Sequence, residues 1–202
     1  MSTFLTAYAY LDSMKVEQQF ALTGGQGKKR LAPIVSVEIP EDATSANRAI
    51  ITGNDLFTSY GKALSVSDQD NFTECYESKT RMSAILQYNL ALAHHRAGIE
   101  KNSSSELAMA LQLYEGAYFT IERVKDKVRM EDVFLLLLGI FFNMTHIHCN
   151  LFNVAECEHC MEWLKVALAS RECVSLQQTD YLFFSTHVAL LSMQMPHVAP
   201  AA

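Results

Sequence analysis

Between residues 82 and 195 apolar positions recur every three or four residues, the period of helices that each bury one face. Met82, Ile85, Leu86, Leu90 and Ala93 mark the stripe of a first long helix, which Gly98 is expected to end. A polar loop spans 101–105, and Ser103, Ser104 and Ser105 are candidate N-caps, because a serine hydroxyl can accept from the unpaired N–H groups of a helix start. Leu107, Ala110, Leu111, Tyr114, Tyr118 and Ile121 give the next helix. A third runs from 131 to about 150. It is apolar on every side over 133–142, which places it in the middle of the fold. A turn at 151–153 leads to a fourth helix marked by Val154, Cys157, Met161, Leu164 and Leu168. A last helix over 179–195 stops at Pro196.

Upstream the pattern weakens. Residues 1–22 have a loose helical pattern that Gly24, Gly25 and Gly27 break. Residues 31–39 are β-branched and extended, but no second strand is evident to pair with them, so they read as a lead-in closed by Pro40. Residues 46–51 and 56–66 read as a short helical pair around Gly53, Asn54 and Asp55. The expected organisation is a partly flexible arm over 1–43 and an all-α domain over 44–202.

Two segments resemble each other. Tyr88-Asn89-Leu90-Ala91-Leu92-Ala93-His94 and Phe142-Asn143-Met144-Thr145-His146-Ile147-His148 share an aromatic, an Asn, a large apolar residue, a small one and a closing His. The first is followed by Gly98 and by Ala110-x-x-x-Tyr114-x-x-Ala117, the second by Cys157-x-x-x-Met161-x-x-Leu164. Ser59 to Leu64 is similar to the end of a third, degenerate copy. This pattern resembles the tetratricopeptide repeat, whose unit of about 34 residues pairs two antiparallel helices through small residues and an aromatic plug. There are departures. The first copy has extra residues between its helices, and the second has Phe152 where the turn glycine belongs. The resemblance implies an antiparallel helical hairpin array, a tetratricopeptide-like solenoid of two to three repeats with a C-terminal capping helix. It implies a scaffold for protein–protein interaction, holding an extended peptide or a partner helix in a concave groove. In peptide-binding members the position of Asn89 and Asn143 is similarly Asn, and an amide can both donate to and accept from a peptide backbone. Candidate partner-binding residues on that wall are Tyr88, Asn89, Leu92, His95, Arg96, Phe142, Asn143, His146 and Asn150. Each amide reads equally as a clamp on a partner's backbone, exposed in the free protein, or as a helix Asn bonded to a neighbouring helix or a water. The runner-up is a self-associating structural protein whose groove is filled by its own arm or by a second copy.

Composition narrows the choice. A net charge of −6, with Lys28-Lys29-Arg30 as the densest basic run, lacks the cationic face that nucleic acid requires. The longest apolar run, 133–142, falls short of the roughly 20 residues of a membrane span. An odd number of cysteines and the absence of a leader-like start point to reduced thiols in the cytoplasm. His146, His148, Cys149, Cys157, His159 and Cys160 crowd around one turn and could in principle ligate zinc, but they lack a paired C-x-x-C framework. The expected role of this cluster is structural packing, with metal binding as a third and lesser reading. Gly24 to Lys29 lacks the first glycine and the final Ser or Thr of a phosphate loop, having Leu22 and Lys29 instead. No recognisable group completes a nucleophilic site around Cys149 or Cys160. The expectation is therefore no catalysis, no cofactor, no membrane and no nucleic acid, with a protein or peptide partner and possible homo-oligomerisation.

Overall fold

The helical periodicity is realised as five α-helices among the described residues, which in this computed structural model are 31–39, 58–67 and 75–194. In chain order the helices are α1 (Tyr76–Glu100), α2 (Ser104–Glu122), α3 (Phe134–Asn150), α4 (Val154–Leu168) and α5 (Gln178–Gln194). Single 3-10 turns at Met130–Asp132 and Arg171–Ser175 join α2 to α3 and α4 to α5. Each helix packs on the next, α1 also touches α3, and the protein is mostly helical. The helical segments expected over 1–22, over 46–51 and at 56 and 57 lie outside the described residues.

Two hairpins, α1–α2 and α3–α4, turn in the same way. At the first, Ser103 N–H donates to the Gly98 carbonyl at 2.8 Å and Asn102 has a φ of 49°. At the second, Asn153 N–H donates to the His148 carbonyl at 2.9 Å and Phe152 has a φ of 57°. This is the left-handed stop that caps the last carbonyls of a helix. The missing turn glycine thus leaves Phe152 itself in a conformation that a bulky side chain rarely adopts. Ser103 is the α2 cap, its hydroxyl accepting from the Glu106 N–H. Gly98 does not end α1. It lies inside the helix at the crossing with α2, where a Cβ would meet the Leu107 side chain at 2.7 Å and the Leu107 backbone nitrogen at 3.1 Å.

The core forms around α3, whose residues from Phe134 through His148 are all buried. Phe141 stacks on Trp163 of α4 with ring centroids 4.1 Å apart, and Ala91, Ala110 and Ala117 are fully buried at the α1–α2 contact. The stripe on α1 differs from the expected one. Leu86 and Leu90 are 62% and 51% exposed and Ala93 also faces outwards, while Ala84, Ile85, Tyr88, Ala91, Leu92 and His95 point inwards. Both faces of α1 carry apolar residues, so periodicity alone could not choose between them.

The largest departure lies upstream. Residues 31–39 are not an unpaired lead-in, and 58–66 are not helical. They contain β1 (Ile34–Val37) and β2 (Ala63–Val66), an antiparallel pair in which Ile34 faces Val66 and Val37 faces Ala63. The alternation of Ala63, Leu64, Ser65 and Val66 is too short to stand out in sequence, and residues 31–39 showed no partner without it. The fold is therefore a helical array with a two-stranded ribbon laid against α1 and α3.

Candidate functional site

The ribbon is held by the two asparagines singled out by the repeated motif. Asn89 on α1 bonds both backbone groups of Leu64: its Oδ1 accepts from the Leu64 N–H at 2.9 Å and its Nδ2 donates to the Leu64 carbonyl at 2.9 Å. Asn143 on α3 does the same to Tyr60, at 2.8 Å from its N–H and 3.2 Å from its carbonyl. In an extended chain, residues four apart present their N–H and C=O groups on the same edge. Between the two clamps the Tyr88 hydroxyl approaches the Lys62 carbonyl at 3.4 Å. One edge of β2 is thus bonded to β1 and the other to side chains of the helices.

Side chains fix the ribbon as well. Tyr60 is fully buried, its ring 5.2 Å from Phe183 and 4.6 Å from Phe184. Its hydroxyl donates to Asp180 Oδ1 at 2.9 Å. Asp180 is fully buried in the first turn of α5, where the helix dipole favours a carboxylate. It also accepts from Ser36 of β1 at 3.0 Å and from Lys62 at 3.2 Å. Burial, then the Asp180 charge, pushes the Tyr60 hydroxyl far above the ordinary phenol range, so it remains a donor. Burial pulls the Lys62 ammonium down, but its bonds to Glu38 and Asp180 outweigh this and hold it above its ordinary value. The start of β1 is anchored by Arg81 and Asp132: the guanidinium donates to the Ala32 and Asp132 carbonyls, and Asp132 Oδ2 accepts from the Leu31 N–H at 3.0 Å.

Behind Asn143 a polar chain runs into the core. Asn143 Nδ2 lies 3.3 Å from the Tyr88 hydroxyl and 3.0 Å from that of Tyr114. The Tyr114 hydroxyl lies 3.5 Å from His95 Nδ1, and His95 Nε2 is 2.8 Å from His146 Nδ1. Burial, helped by His146, pulls His95 down to about 3, so it is neutral at physiological pH. These groups are a hydrogen-bonded filling between α1, α2 and α3, which satisfies buried polar atoms that would otherwise be costly.

The nine candidate residues therefore separate by place. Tyr88, Asn89 and Asn143 meet along residues 60–64, at and just before β2. His95 and His146 lie deeper as a pair. Leu92 is core, and Phe142 packs edge-on against Phe183 and Phe184. Arg96 is half-buried on α1. Asn150 is exposed and bonded to the His146 carbonyl of its own helix. Neither of these amides is part of an open groove wall: Asn143 is fully buried and Asn89 half-buried, because the chain's own extended segment covers them. Tyr60, Asp180, Arg81, Asp132 and Ser36 were not singled out in the sequence. Arg81, on an otherwise apolar helix face, carried the best signal.

Among the described residues no group of three or more His, Cys, Asp or Glu is placed to hold a metal ion. Around the α3–α4 turn, Cys149 and Cys157 bring their sulfurs 2.7 Å apart. Burial pushes the Cys160 thiol up to about 12, away from any nucleophilic role at neutral pH. Among the described residues no helix is long and apolar enough to cross a membrane. No family model, no curated protein and no solved structure matches the chain.

Proposed function

We propose that this chain is a non-catalytic protein-interaction scaffold of tetratricopeptide-like build, whose groove accepts an extended strand and is occupied here by its own residues 58–67. The observation that carries this reading is the double clamp. Two asparagines on different helices each bond the N–H and the C=O of one residue in the same extended segment. Such contacts recognise backbone rather than sequence, as in partner recognition by main-chain pairing. Side-chain selection is left to the Asp180 and Phe183–Phe184 pocket. Five cysteines, none in a disulfide, fit a reducing compartment such as the cytoplasm.

The test is a peptide in trans. A labelled peptide of residues 58–67 is titrated into the wild-type chain and into Leu64→Ala, which weakens the resident strand by removing a buried side chain. The wild type is expected to bind little, because its own strand is tethered at high effective concentration. Leu64→Ala is expected to bind saturably, and Asn89→Ala added to it to lower the affinity by roughly fivefold, a loss on the order of 1 kcal/mol. If Leu64→Ala keeps its helical circular dichroism yet binds no better than wild type, the groove is not a peptide site.

A second reading rests on the same occupancy: a groove filled by its own chain also suits a self-associating protein in which copies exchange the β1–β2 ribbon. A dimer in light scattering whose monomers are released by Asn89→Ala supports exchange, whereas a monomer at all concentrations removes it.

A further inference from the structure

We propose that Cys149 and Cys157 are a redox modification site, a dithiol at the α3–α4 turn that closes reversibly to an intramolecular disulfide under peroxide-class oxidants. The two sulfurs lie 2.7 Å apart, within about 1 Å of the ~2.05 Å covalent bond. The backbone brings them together. Cys149 is in the last turn of α3 and Cys157 in the first turns of α4, and the Leu151, Phe152 and Asn153 N–H groups are all tied back to the end of α3. Closing the bond therefore needs a sub-ångström adjustment of side chains and no helix movement.

The two thiols are not equivalent. Cys149 is half-buried and reachable from solvent, while Cys157 is 2% exposed. The S···S contact holds Cys149 below its ordinary value, and the same contact, then burial, holds Cys157 above its own. Cys149 is thus the attacking thiolate. Its sulfur takes one oxygen of hydrogen peroxide, the O–O bond breaks, and a sulfenic acid forms with release of water. The Cys157 sulfur then attacks the Cys149 sulfur, the S–O bond breaks, and the hydroxide leaves with the Cys157 proton as a second water. Two thiols and one peroxide become one disulfide and two waters. A thiol reductant reverses it by exchange. Cys160 and Cys173 are poorer partners. Cys160 is engaged with Thr145, and Cys173 is directed at the Ala167 and Leu168 carbonyls. The two sites are only eight positions apart, so the bond removes little unfolded-chain entropy and the readout is the cross-link itself.

The test uses the full reduced chain, treated with one equivalent of hydrogen peroxide, alkylated, and digested without reductant. Mass spectrometry is expected to find one Cys149–Cys157 cross-link, about 2 Da lighter than the dithiol, which dithiothreitol removes. Cys149→Ser and Cys157→Ser are expected to abolish it and Cys160→Ser to leave it. The proposal is overturned if the wild-type chain keeps both thiols alkylated, pairs Cys149 with Cys160, or stops at Cys149 sulfinic acid. The wild-type map decides on its own, whatever the serine variants do to folding.

Discussion

Tyr60→Ala is expected to lower the unfolding free energy by roughly 3–5 kcal/mol, and Tyr60→Phe by only about 1 kcal/mol. The ring is fully buried between Phe183 and Phe184, so its removal leaves a cavity between the ribbon and α5. It also leaves Asp180 with one donor fewer in a fully buried place. Phenylalanine keeps the packing and loses only that bond. Denaturant melts followed by circular dichroism give both values. If Tyr60→Ala costs no more than Tyr60→Phe, residues 58–67 do not contribute to the folded core, and the ribbon is not seated as described.

Asn143→Ala is expected to cost roughly 2–4 kcal/mol, because each buried polar group left unpaired costs on the order of 1–3 kcal/mol. The amide is fully buried and serves the Tyr60 N–H, the Tyr60 carbonyl and the hydroxyls of Tyr88 and Tyr114. None of these can turn to water without opening the groove. Asn150→Ala is the control: its side chain is exposed and bonds only its own helix, so it is expected to stay within about 0.5 kcal/mol of wild type. Equal melts for Asn143→Ala and Asn150→Ala would show that the buried amide is not a partner of the strand.

The helices were legible because their signals are local. Periodicity placed α2 through α5 close to their observed bounds, and Ser103 was readable as a cap. The strands were not legible, since four residues carry too little pattern and β1 pairs with a segment about thirty positions away. The repeated motif led to Asn89 and Asn143 but misjudged their register. They lie 54 positions apart in the chain, whereas the matching left-handed turn residues, Asn102 and Phe152, lie 50 apart. Relative to its own hairpin, each asparagine is thus shifted by about one helical turn from the other. Such a shift keeps an asparagine on the same helix face and changes only its height, so the face was readable and the height was not. The occupant of the groove was unreadable for a different reason: a backbone clamp imposes no sequence on what it holds.

The most direct measurement is residue-resolved amide exchange by NMR at Tyr60 and Leu64, whose N–H groups each donate to one of the two asparagine side chains. In the wild-type chain both are expected to exchange slowly. Asn89→Ala is expected to speed Leu64 about tenfold or more, as local protection at that bond is lost, while Tyr60 remains protected. Wild-type Tyr60 and Leu64 amides that exchange as fast as those of an unfolded chain would contradict the account, because the strand would then not be held in the groove.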